Sequence, residues 1–130
     1  MLEKVVYTTV FVNDQDRALD FYTNILGFRK RADNPTADAT TADSPRFLAV
    51  GVKDQDFLLV LWPGTPGQGN PVQGRIPAAY TIETWDCREA VEALTSLGVK
   101  FETGVLEYPW GYVAVFLDPD GNRLQLRQSR

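Results

Sequence analysis

The sequence contains no histidine and a single cysteine, Cys87. The first absence removes the commonest ligand for transition metals and the usual proton shuttle near neutral pH. A Ser–His or Cys–His nucleophile pair cannot be assembled. An all-oxygen magnesium or calcium site, acid–base work by Asp or Glu, and no chemistry at all stay open. A lone cysteine cannot close an intrachain disulfide, which fits a reducing compartment, so a cytoplasmic protein is expected. Long apolar runs are also missing: nothing approaches the roughly 20 residues of a membrane helix. The start, "MLEKVVYTTV", lacks the basic segment and long apolar stretch of a signal peptide. Basic residues are scarce, 13 Lys and Arg against 17 Asp and Glu for a net charge of -4. A phosphate-binding surface needs clustered cations. Neither a membrane nor a nucleic acid is therefore an expected partner.

What is present suits one globular domain: 130 residues, 44% of them apolar. "KVVYTTVFVN" is rich in β-branched and aromatic residues and reads as a strand. Asp14 can cap the helix that follows. In "QDRALDFYTNILGF", Leu19, Tyr22, Ile25 and Leu26 recur at helical spacing, and Gly27 supplies a left-handed stop. "FRKRAD" reads as a short strand and "NPTADATTADSP" (34–45) as a mobile polar loop. "RFLAVGV" and "DFLLVLWP" read as two more strands. The Gly/Pro-rich "PGTPGQGNPVQG" cannot continue helix or sheet and reads as a linker. After it the order repeats. "AAYTIET" is a strand; Asp86 and Glu89 form a capping box; Ala90, Val91, Leu94 and Leu97 share a helix face; Gly98 stops it. "VKFETG", "GYVAVFL" and a closing strand follow.

The repeat holds by position. Asp14, Ala18, Leu19 and Tyr22 match Asp86, Ala90, Val91 and Leu94 at an offset of 72, whereas Gly27-Phe28 match Gly98-Val99 at 71. The first helix therefore carries one extra residue. The chain reads as α+β, with a βαβββ module at 1–62, a linker at 63–76 and a second module at 77–130. One module alone would be marginally stable. Two facing sheets with helices outside would provide both a core and an enclosed concave face.

The C-terminal "FLDPDGNRLQLR" places a turn, Asp118 to Asn122, before an alternating strand. Leu124 and Leu126 fall on one face; Arg123, Gln125 and Arg127 fall on the other. A carboxylate at position 125 could hold a metal or take a proton. The amide that is there can only exchange hydrogen bonds.

These segments carry a resemblance. "VNDQDRALDFYTNILGF" resembles the first-module signature of the vicinal oxygen chelate superfamily, the group of glyoxalase I, bleomycin-resistance proteins and extradiol dioxygenases. "WDCREAVEALTSLGV" is similar to its second-module helix and "PWGYVAVFLDPDGNRLQL" to its closing strands. The resemblance implies an incomplete eight-stranded barrel around a cavity, and often a homodimer. In metal-using members four positions, typically His, Glu or Gln, point into the cavity. Carried over, they fall on Tyr7, near Val60, near Ala79, and on Gln125. That set cannot hold a divalent transition metal, which needs several N, S or carboxylate donors. No metal and no other cofactor is expected.

If Tyr7 faces the cavity, so do Thr9 and Phe11, and Leu58, Val60 and Trp62 from the last strand of the first module. The second module would add Ala79, Thr81 and Glu83, then Tyr112, Ala114 and Phe116, then Arg123, Gln125 and Arg127. Such a lining, mostly apolar with a few polar anchors, suits a small-molecule pocket. Tyr7, Trp62, Phe116 and Trp110 could stack on a flat ligand; Glu83 could meet a cation and Arg123 an anion. Each has a plainer reading. Tyr7, Phe11 and Phe116 serve equally as core, Arg123 and Arg127 as solvated arginines, Glu83 as one half of a structural ion pair, and Trp110 as edge packing. Glu83 is the one weak candidate for a catalytic base; Cys87 reads as a spectator. The residues thus point to a metal-free binder that sequesters a small aromatic or amphipathic molecule, as antibiotic-resistance members do. The alternative is a lyase, isomerase or dioxygenase of the same superfamily, metal-free or with an unusual metal site.

Overall fold

The computed structural model describes residues 1–67 and 78–130. The chain forms two compact units, Met1–Pro66 and Gly67–Arg130. Most of the segment read as a linker, 68–76, lies outside the described residues. The architecture is α+β, each unit being one mixed sheet with helix on one face.

In the first unit β1 (Tyr7–Val12), α1 (Gln15–Asp20), β2 (Arg29–Pro35), β3 (Arg46–Gly51) and β4 (Leu58–Pro63) follow in order. The sheet runs β1-β4-β3-β2, with β1 parallel to β4. Asp14 caps α1 through Oδ1, which accepts from the Arg17 N–H at 3.0 Å. Beyond Asp20 the helix widens into a π-helical stretch, Phe21–Ile25, and then stops at Gly27, φ 81°. The wide turn accommodates the extra residue in the first repeat, since a π-turn adds one residue without ending the helix. It turns Tyr22 fully inward, edge-on to Phe21 and Phe28 at 5.5 and 5.7 Å. The core collects Val10, Val12, Leu48, Val50 and Leu61. Gln15, also buried, donates through Nε2 to the Arg46 and Leu61 carbonyls, both at 2.8 Å. Its Oε1 accepts from Arg46 N–H at 3.2 Å, so one side chain ties α1 to β3 and β4. Strand β2 runs to Pro35, so the polar loop begins two residues later than its composition indicates.

The second unit contains β5 (Tyr80–Glu83), α2 (Cys87–Ser96), β6 (Lys100–Phe101), β7 (Leu106–Tyr108), β8 (Gly111–Leu117) and β9 (Arg123–Ser129). The order is β5-β9-β8-β6, with β7 also paired on β8. The strand expected at "VKFETG" is shortened to Lys100–Phe101, and Leu106–Tyr108 adds a further strand, so the described residues of this sheet form five strands rather than four. The Glu102 and Thr103 N–H groups both point at the Val115 carbonyl (2.8 and 3.4 Å), and the Thr103 hydroxyl accepts from Val115 N–H at 3.0 Å. A side chain thus replaces a ladder carbonyl, as at a bulge. Asp86 caps α2 through the Glu89 N–H at 3.0 Å.

The Asp118–Asn122 turn is held by Asp118 from within and by the Gly67 N–H, which donates to Asn122 Oδ1 at 2.7 Å, from outside. Asp118 Oδ1 accepts from the Asp120 and Asn122 N–H groups, both at 2.9 Å, and Oδ2 accepts from Asn122 Nδ2 at 2.8 Å. Gly121 takes φ 85°, which a glycine adopts without strain. No helix among the described residues is long and apolar enough to cross a membrane.

Candidate functional site

Residues on neighbouring strands that pair by Cα share a face, so ladder register fixes which side chains lie together. In the first sheet Tyr7, Thr9 and Phe11 pair with Leu58, Val60 and Trp62. These six form one face, opposite the one that buries Val10 and Val12 under α1. Val60 also pairs with Ala49, bringing β3 into the same face. By alternation Phe47 and Gly51 join it. Phe47 was not legible as a site residue; its ring meets Tyr7 edge-on at 5.7 Å. Its position follows only once β3 is aligned with β4. The floor is small and closed, with Val60 4% exposed, while Tyr7 on the rim is 46% exposed. At the far end Phe11 lies across Gly64, where a Cβ would come within 2.3 Å of the ring.

In the second sheet Thr81 and Glu83 pair with Gln125 and Arg127 on one side. Val115, Val113 and Leu117 pair with Gln125, Arg127 and Arg123 on the other. Those residues share a face. Tyr112, Ala114 and Phe116, expected beside Gln125, lie on the opposite face with Leu124 and Leu126. The reason is the turn. Five residues closed by Leu117 and Arg123 pair odd positions with odd, so Val115 sits opposite Gln125 and Val113 opposite Arg127. Phe116 is fully buried against Phe101, 5.4 Å between rings. Tyr112 faces α2, its ring contacted by the Arg88 and Arg130 guanidinium groups at 5.4 and 4.8 Å. Ala79 sits just before β5 and is half-buried.

The polar groups separate further. Arg123 is buried, and its Nε donates to Glu102 Oε2 at 2.6 Å, so it is neither solvated nor open to an anion. Glu83 is exposed and accepts from the Ser129 N–H at 3.2 Å. Trp110, 43% exposed, stacks on Tyr108 at 5.5 Å and carries the Arg127 guanidinium 5.0 Å above its ring. Gln125 is 5% exposed, and among the described residues no donor reaches its Oε1. A buried acceptor without a donor costs free energy, and a donor brought to it recovers that cost.

Burial pushes the Cys87 thiol above its ordinary range, an effect that the nearby Asp86 charge reinforces and Arg88 opposes. Burial likewise raises Tyr80, with the Asp118 charge adding to it. Among the described residues no three of His, Cys, Asp and Glu gather as a metal site would require.

The chain matches the model of the Glyoxalase/Bleomycin resistance protein/Dioxygenase superfamily over residues 4–126 and belongs to that family. Among solved structures it resembles TnmS3, an antibiotic binding protein from Streptomyces sp. CB03234. The TM-score is 0.80 and the identity 33%, over 99% of this chain and 98% of the other. A superfamily member from Sphaerobacter thermophilus gives a TM-score of 0.80 at 31% identity, over 98% of both chains. A Neisseria meningitidis lactoylglutathione lyase is 27% identical over 98% of this chain and 91% of its own. The architecture is the glyoxalase/bleomycin-resistance fold.

Proposed function

We propose that this protein binds and sequesters a small aromatic or amphipathic molecule without a metal ion. The observation that carries the reading is Gln125: a buried amide, set between Val115 and Thr81, whose Oε1 meets no donor among the described residues. The first sheet supports it with an open aromatic rim over a closed apolar floor, a make-up suited to a planar ligand. The likeness to an antibiotic binding protein points the same way. A metal does not fit. Tyr7, Val60, Ala79 and Gln125 offer one neutral amide and one phenol between them, and the sequence has no histidine to add. The protein is expected to act in the cytoplasm as a homodimer, which light scattering would show as twice the chain mass.

Thermal denaturation against a panel of planar aromatic compounds tests the function. A ligand selective for the native state at 100 times its Kd adds about 2.7 kcal/mol, a shift of several degrees. Tyr7→Ala and Trp62→Ala should reduce that shift without unfolding the protein. A panel that leaves the melting temperature unmoved, or one stoichiometric, tightly held metal by elemental analysis, would overturn the proposal.

A further inference from the structure

Arg127 lies on the same face as Gln125, two positions further along β9, or about 7 Å. Its Cα partner across the ladder is Glu83, the natural counter-ion. Yet Glu83 turns its Oε1 to the Ser129 N–H instead. Among the described residues Arg127 makes no ion pair; its guanidinium is held over the Trp110 ring, which is itself backed by Tyr108. The other cations of this sheet end are differently committed. Arg130 pairs with Glu107, and Arg88 lies over Tyr112 on the helix side. Arg127 is thus an exposed cation held over a half-exposed indole, its N–H groups bonded to no acceptor among the described residues, on the same strand face as the buried Gln125 amide.

We infer that Arg127 sets the charge class of the ligand: a planar aromatic acid. Its anionic group meets the Arg127 guanidinium, its ring lies beside Trp110, and an O–H or N–H at its other end donates to Gln125 Oε1. A carboxylate matches the planar fork of arginine and gains the charge-assisted bond that Glu83 forgoes. The overall charge of -4 gives no general attraction for anions, so preference for an acid would report this site. The inference rests on the binding reading above and narrows it.

The probes are 4-hydroxybenzoate, its neutral methyl ester and the cationic 4-hydroxybenzylamine, titrated calorimetrically into wild type, Arg127→Gln and Trp110→Ala. Wild type should bind the acid at least tenfold more tightly than the ester or the amine. Arg127→Gln should erase that preference, the acid losing at least tenfold more affinity than the ester; Trp110→Ala should weaken all three. Equal or tighter binding of the ester or amine, or an unaltered preference in Arg127→Gln, overturns the acid assignment while leaving the binding function intact. Failure of all three to bind at millimolar concentration overturns both.

Discussion

At the scale of single residues, Gln125 sets stability against function. Among the described residues its Oε1 is buried without a donor, although its ladder neighbours are Val115 and the hydroxyl-bearing Thr81. Leaving such a group unpaired costs about 1–3 kcal/mol. Leucine has nearly the same volume and no polar atom. Gln125→Leu should therefore raise the unfolding free energy by about 1 kcal/mol in urea titrations while reducing ligand affinity. A loss of stability would mean that the amide is satisfied in the empty protein and is not waiting for a ligand. The identity of this residue and its inward face were legible from the alternation of "RLQLR". Its missing partner was not, because orphaning depends on what β5 and β8 place beside it. Arg123 is the converse case. Alternation put it on the right face, but only the bulge after β6 brings Glu102 within 2.6 Å of it.

At the scale of elements, helix signals read well because they are local. Asp14 and Asp86 cap, Gly27 and Gly98 stop, and each depends on residues within one or two turns. Even the wide turn at Phe21–Ile25 was visible, as a slip from 72 to 71 between the repeats. Strand faces depend on register between segments distant in sequence, and a miscount by one exchanges every side chain across the sheet. That error moved Tyr112, Ala114 and Phe116 to the wrong face, while Phe47 was missed because only the pairing of β3 with β4 gives its face. The break between β6 and β7 was equally illegible, since it turns on the Thr103 hydroxyl reaching Val115. The hairpin from β7 to β8 offers its own test. Gly111 pairs with Tyr108 around Pro109-Trp110, and a Cβ there would lie 2.1 Å from the Gln128 carbonyl oxygen. Gly111→Ala should therefore destabilise by about 2–4 kcal/mol, seen as a lower denaturation midpoint. It should also disturb the stacking of Trp110, seen as altered tryptophan fluorescence. An unchanged midpoint would mean that the hairpin is not seated against β9.

At the scale of the whole molecule, stability should respond to pH on the alkaline side, and the cause lies in the second unit. Cys87, at the start of α2, and Tyr80, at the start of β5, are both held above their ordinary values of 9.0 and 10.0, chiefly by burial. Each is neutral when protonated, so the native state binds these protons more tightly than the unfolded chain. Their contribution is complete below the ordinary values and is lost as pH rises through the elevated native ones. The melting temperature should thus be insensitive to these groups at neutral pH and fall once pH passes about 9. The order of loss should be thiol before phenol. In Cys87→Ala the early part of the decline should flatten; in Tyr80→Phe the later part should; the double variant should lose most of the slope. A native thiol that reacts with an alkylating reagent at neutral pH as fast as the unfolded chain would contradict the burial on which the sign depends. A decline equally steep in the double variant would assign alkaline unfolding to other groups.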